Sequence, residues 1–161
     1  MIDPELLAIQ YGRSAKLLLS NLEGLTHQQS LWQPAPGVNT INWLTGHLVS
    51  SRCNITVVMG LTPVWDDAIR AHYRIGSAPI NEDREGVLPL ERLIADFTAA
   101  HNVVDAGLRV QTADTLSGPS ANERFATRAE HFLYMQMHEA HHAGQVMTLR
   151  EQLGLPSLWP F

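Results

Sequence analysis

One cysteine, one lysine and few charges set the first bounds on this chain. With Cys53 alone, no internal disulfide can form, and zinc patterns that need paired cysteines are excluded. Lys16 is the only lysine, so nearly all positive charge is arginine, and Lys+Arg 11 against Asp+Glu 16 leaves a net charge of -5. Nucleic-acid-binding proteins usually carry a basic stripe, so a nucleic-acid partner is not expected. No apolar run approaches the roughly 20 residues of a membrane helix, so no membrane partner is expected either. The opening Met1-Ile2-Asp3-Pro4-Glu5 lacks the basic start and apolar core of a signal peptide, and a cytoplasmic location is expected. No segment alternates with period two over a useful length, and no repeat or low-complexity tract is present. An apolar fraction of 45% with 17% charged residues excludes a disordered or fibrous chain.

What is present is helical patterning over 161 residues, a length that suits one domain, residues 1–161. A chain of this size buries roughly 70% of its unfolded surface and needs no disulfide or metal to fold. The first helix runs from a cap at Asp3, with Pro4 and Glu5 in its first turn, to about Gly24. Leu7, Tyr11, Ala15, Leu18 and Leu22 make its apolar stripe. A connector over 26–39 holds Trp32, Pro34, Pro36 and Gly37. The second helix is capped by Asn39 or Thr40 and reaches Met59, with Leu44, Leu48, Ser51, Ile55 and Val58 facing in. Residues 61–88 read as a long connection with one short helix around Asp66–Tyr73. Such a connection is either functional or a crossover in an up-up-down-down arrangement. The third helix spans Pro89 to about Val110, and residues 111–121 read as loop. The fourth spans Asn122 or Thr127 to Leu153, roughly 40 Å. The apolar end Leu158-Trp159-Pro160-Phe161 is expected to pack on the bundle or a partner subunit. Four helices with long connections make an all-α four-helix bundle.

Eight histidines carry the chemistry. In His138-Glu139-Ala140-His141-His142-Ala143-Gly144-Gln145, His138 and His142 stand four apart and share one helix face. Two imidazoles at that spacing can hold one divalent ion at roughly 2.0–2.1 Å. His47 lies between Leu44 and Leu48 around its helix, points inward and can supply a third ligand. Inward histidines also occur as ordinary hydrogen-bonded core residues, and spacing alone leaves both readings open. The run also fits His-Glu-x-x-His, but no histidine follows His142, and Gln145 and Thr148 stand where the extended zinc-protease motif needs Gly and His. Glu139 points about 100° away from His138 and reads as a solvated residue or an orienter. His101, His131, His141 and Gln145 are candidate pocket-lining residues; no catalytic residue can be named. His101 reads equally as a core histidine, His141 as a surface residue. His27 and His72 read as exposed. Cys53 and Trp43 read as packing residues, Gly46 and Gly144 as close helix contacts, and Arg150 as a partner of its helix's negative end, with anion binding left open.

The chain resembles the DinB-like, or YfiT-like, metalloenzyme family. The residues that carry the resemblance are Leu31-Trp32-Gln33-Pro34-Ala35-Pro36-Gly37, Asn39 to Leu48 with its Trp43-Leu44-Thr45-Gly46-His47 core, and His138 to Gln145 followed by Leu149-Arg150 and Leu153-Gly154. Residues 61–121 carry no matching motif. The resemblance implies an up-up-down-down four-helix bundle with zinc or nickel held by His47, His138 and His142. It implies a thiol-dependent transferase or isomerase using a low-molecular-weight thiol and a small-molecule substrate, or a metal-water hydrolase, in a homodimer. The alternative is a non-catalytic, stress-related bundle that binds a small molecule or a partner.

Overall fold

The computed structural model describes residues 2–161. Among them are seven helices and no strand: α1 Pro4–Leu22, α2 His27–Ser30, α3 Ile41–Val58, α4 Asp67–Ala71, α5 Leu90–Arg109, α6 Ala113–Ser117 and α7 Arg128–Gln152. Their starts follow from short polar side chains that accept a backbone N–H in the first turn. Asp3, Thr40, Asp66 and Thr127 cap α1, α3, α4 and α7 in this way. The loop expected over 111–121 contains α6, and the connector over 26–39 begins with α2. Each has a capping box, Thr112 with Thr115 and Thr26 with Gln29. Both signals are legible in the sequence but too short to show apolar periodicity.

Side-chain contacts give the helix directions. The Tyr11 hydroxyl donates to the Phe132 carbonyl near the starts of α1 and α7, and Arg150 donates to the Asn21 carbonyl near their ends, so these helices are parallel. Glu5 pairs with Arg109, and the Leu90 amide donates to His27, so α5 opposes α1. Asn42 donates to the Leu88 carbonyl and Arg52 to His101, so α3 and α5 run together. The order is therefore up, down, down, up, not the expected up-up-down-down. The reason lies in the connections. Residues 23–40 only turn a corner, whereas 59–89 carry the chain back along the whole of α3, about 27 Å.

Two apolar clusters fill the interior. One holds Leu18, Leu22, Leu44, Leu48, Trp65, Tyr73, Phe97, Val146 and Leu149. The other holds Leu7, Tyr11, Ile55, Val104, Leu108 and Phe132. Helix α3 is covered almost all round because α5, α7 and the crossover all lie against it, so its expected single stripe was too narrow. Cys53 is fully buried as a packing residue. Arg150 is buried and donates to the Asn21, Glu23 and Pro156 carbonyls, which ties down the end of α1. The tail lies back on α1: Asn21 bonds Leu158 through both backbone groups, and Lys16 donates to the Pro160 carbonyl and stands over the Phe161 ring.

The two helix glycines differ. A Cβ on Gly46 would run into the Tyr73 ring, whereas one on Gly144 meets nothing, so the close contact expected at Gly144 is absent. Gly46→Ala should therefore lower the melting temperature by displacing Tyr73. Gly144→Ala should leave the melting temperature unchanged or raise it, because alanine favours the helix over glycine by up to about 1 kcal/mol. Thermal denaturation of both variants checks this, and equal effects would contradict it.

Candidate metal centre

His47 on α3 and His138 and His142 on α7 come together. The Nε2 atoms of His47 and His138 are 3.2 Å apart, and those of His138 and His142 3.1 Å. The three form the cluster able to hold a metal ion among the described residues. They meet because α3 and α7 are antiparallel neighbours and the four-residue step stacks His138 on His142. Two of the rings are oriented from behind. His47 Nδ1 donates to the Tyr73 carbonyl at 2.8 Å, and His142 Nδ1 to Gln145 Oε1 at 2.6 Å. Each bond fixes the proton on Nδ1 and leaves the Nε2 lone pair facing its neighbours.

This geometry tests whether a cation fits. With Nδ1 protonated on His47 and His142, their Nε2 atoms can only accept. His138 can donate to one of them at most, so lone pairs remain opposed at hydrogen-bond distance. The His138 Nδ1 is buried with no hydrogen-bond partner among the described residues. A positive ion between the rings removes the conflict. The three ligand atoms lie within 4.8 Å of one another, close enough for His47, His138 and His142 to share one ion. The residues present fit a divalent transition metal. Burial lowers the pKa of His47 and His142 and, with the neighbouring imidazoles, that of His138 to about 4, so all three are neutral near pH 7 and can donate lone pairs.

The surroundings separate the other candidates. Trp43 is more than packing: its ring stacks on His47 at 4.7 Å and its indole N–H donates to Ser77. One cleft, about 430 Å³, runs from His47 and His138 past Ser51, Asn54 and His131. A second, about 450 Å³, runs from the same two histidines past Trp43, Ser77, His141 and His142. His131 and His141 thus each line one cleft, and Gln145 serves as the partner of His142. His101 lines neither: its Nδ1 accepts from Arg52, inside the fold. His27 is half-buried rather than exposed, and His72 is exposed.

Glu139 is not solvated. It is 2% exposed and forms a two-bond ion pair with Arg52, itself 0% exposed: Nε to Oε2 at 2.7 Å and Nη2 to Oε1 at 2.6 Å. Ser14 donates to the same carboxylate, and Arg52 also donates to the Tyr11 carbonyl and lies over the Tyr11 and Phe97 rings. No histidine of the triad bonds Glu139, so it orients α7 rather than a ligand. Sequence reasoning missed Arg52 and Tyr73. An arginine on the inner side of a helix five residues after His47, with a glutamate beside His138, was the available signal for the first. Nothing in the sequence marked the second, because the crossover has no period.

The family model of the DinB superfamily matches residues 10–146, a span that contains the three histidines. No curated protein matches the chain. Among solved structures, the crystal structure of the conserved protein of locus from Enterococcus faecalis is similar, with a TM-score of 0.74 and 16% sequence identity. The match covers 94% of this chain and 96% of that one. At that identity the likeness is one of fold.

Glu139→Gln should destabilise the protein by about 3–5 kcal/mol, because it strands the buried Arg52 charge. The double variant Arg52→Met, Glu139→Leu should recover much of that loss. Urea denaturation of the set measures both, and a double variant no more stable than Glu139→Gln would contradict this account.

Proposed function

We propose that this chain, which belongs to the DinB superfamily, is a metal-dependent enzyme that joins a low-molecular-weight thiol to a small-molecule substrate, as a transferase or isomerase. The observation that carries the reading is the convergence of three Nε2 lone pairs at the point where two separate clefts meet. Two clefts reaching one centre suit two reactants, which favours thiol transfer over hydrolysis by water alone. When bound, a zinc or nickel ion supplies positive charge that favours the deprotonated form of a thiol.

The chain's own residues do the rest. His47, His138 and His142 would hold the ion. The Tyr73 carbonyl and Gln145 keep the His47 and His142 rings in register, so little reorganisation accompanies binding. Trp43 covers one face of His47 and limits water there. Ser51 and Asn54 offer hydrogen bonds in the first cleft, Ser77 and His141 in the second.

The same reading takes residues 1–161 as one domain, a four-helix bundle, in a cytoplasmic homodimer. Support for the dimer comes from apolar side chains left in solvent on α1, α7 and the tail: Leu6, Leu133, Met137, Phe161 and Trp159, the last 67% exposed. Met137→Glu should convert a dimer to monomers in sedimentation equilibrium. A wild-type chain that is monomeric at about 100 μM, weaker than a stable interface of standard size allows, would rule the dimer out.

Metal analysis by mass spectrometry on untagged protein tests the centre. About one divalent ion per chain should be found, and His47→Ala and His142→Ala should lose it with the fold retained. Gln145→Ala should weaken metal binding by about 10–100-fold. Unchanged metal content in His142→Ala would refute the ligand set. No metal after incubation with zinc or nickel would leave the non-catalytic, small-molecule-binding alternative.

A further inference from the structure

We infer that the first cleft takes a carboxylate-bearing small molecule whose negative group is held by Arg124 and whose apolar body lies against Val57, Val58, Phe125 and Met135. The cleft, about 430 Å³, has the size of an ordinary small-molecule site. The chain carries 16 acidic residues and a net charge of -5, yet no Asp or Glu lines this cleft. Arg124 is the only arginine or lysine that does.

Arg124 is also uncommitted. Among the described residues, Arg52, Arg70, Arg84, Arg92 and Arg109 pair with carboxylates, whereas Arg124, like Arg13, Arg74 and Arg128, has neither a carboxylate nor an acceptor for its guanidinium N–H groups, and of these four only Arg124 lines the cleft. What holds it is aromatic: its Cζ lies 5.7 Å from the Phe125 ring centre and 5.5 Å from that of Tyr134. Stacking of this kind leaves the planar fork of donors free at its edge, the geometry that matches a carboxylate with two parallel bonds. The backbone that carries Arg124 is anchored. Pro119 bridges to Thr127, the Arg128 amide donates to the Gly118 carbonyl, and the Ala126 amide to the Glu130 carboxylate. Behind Phe125, His131 is stacked at 4.5 Å and bonded to Ser120, so the wall on that side is fixed too. A single guanidinium with no second cation balances one negative charge, which favours a carboxylate over a phosphate dianion.

The far end of the cleft is the histidine centre. The Tyr134 ring, beside Arg124, also lies 6.4 Å from the His138 ring. A molecule anchored on Arg124 therefore presents its other end to the Nε2 edges of His47 and His138. Naming that end as the reacting end rests on the metal-dependent reading above; the anion site itself does not.

Isothermal titration calorimetry on the full chain tests the site, with 3-phenylpropionate, its uncharged analogue 3-phenylpropan-1-ol, and phenyl phosphate as probes. The carboxylate should bind about tenfold or more tighter than the alcohol. Arg124→Met should erase that preference and leave the alcohol affinity unchanged, while Arg124→Lys keeps part of it. Arg124 is exposed, so melting temperature and metal content should match the wild type in both variants. The preference should also survive in His138→Ala. Equal binding of carboxylate and alcohol, no binding of the carboxylate, or a preference kept in Arg124→Met would overturn the inference. A preference lost in His138→Ala but kept in Arg124→Met would assign the carboxylate to the metal and overturn it as well. Tighter binding of phenyl phosphate would overturn the choice of carboxylate. A wild-type protein with no metal but an intact, Arg124-dependent preference would refute the metal-dependent reading and leave this one standing.

Discussion

The arrangement of the long helices depends on one buried ion pair. Arg52 and Glu139 are both out of water and bonded twice, and they draw in Tyr11 and Ser14 from α1 and Phe97 and His101 from α5. All four long helices therefore meet in a single polar layer, with one apolar cluster on each side of it. A purely apolar interior could slide by a turn at modest cost, whereas an arginine and a carboxylate that must find each other in the dry interior admit one register of α3 against α7. Buried pairs of this kind add little net stability and can contribute uniqueness instead. Here the uniqueness has a direct consequence. Glu139 follows His138 in sequence, so the alignment that satisfies the pair also sets His47 opposite His138 and His142.

The crossover is the second constraint. Residues 59–89 return the chain along α3, and on the way Tyr73 puts its ring against Gly46 and its carbonyl against His47. The Tyr73 hydroxyl accepts from the Leu88 amide, and burial pushes its pKa up to about 12, so it stays a neutral phenol. A segment without helical periodicity thereby becomes the rear support of a candidate ligand. The absence of a side chain at Gly46 is what lets it approach.

Much of this was legible in the residues. The cap at Asp3 located the start of α1, Asn39 or Thr40 bracketed that of α3, and the start of α7 was left between Asn122 and Thr127, where Thr127 is the cap. The His138/His142 spacing and the inward angle of His47 made the three candidate ligands beside an ordinary core reading, and the family resemblance implied the full set; the structure brings them together. The rest depended on tertiary partners. Glu139 was left between a solvated residue and an orienter because its partner is far away in the chain, and Arg52 was passed over for the same reason. Helix direction was misread because the length of a connection does not say whether it turns a corner or crosses the fold. Gly144 showed that a glycine in a helix need not mark a close approach. His101 left the list of cleft residues once Arg52 was seen to occupy it.

The tail shows a use for the scarcity of lysine. Lys16 is exposed, and it fastens the last residues through a bond to Pro160 and a charge over Phe161. As the sole side-chain amine, it makes the chain a natural substrate for selective acylation, since a reagent that seeks lysine has one target. Acylating it would remove the charge and the strongest donor at that latch while leaving Asn21 in place.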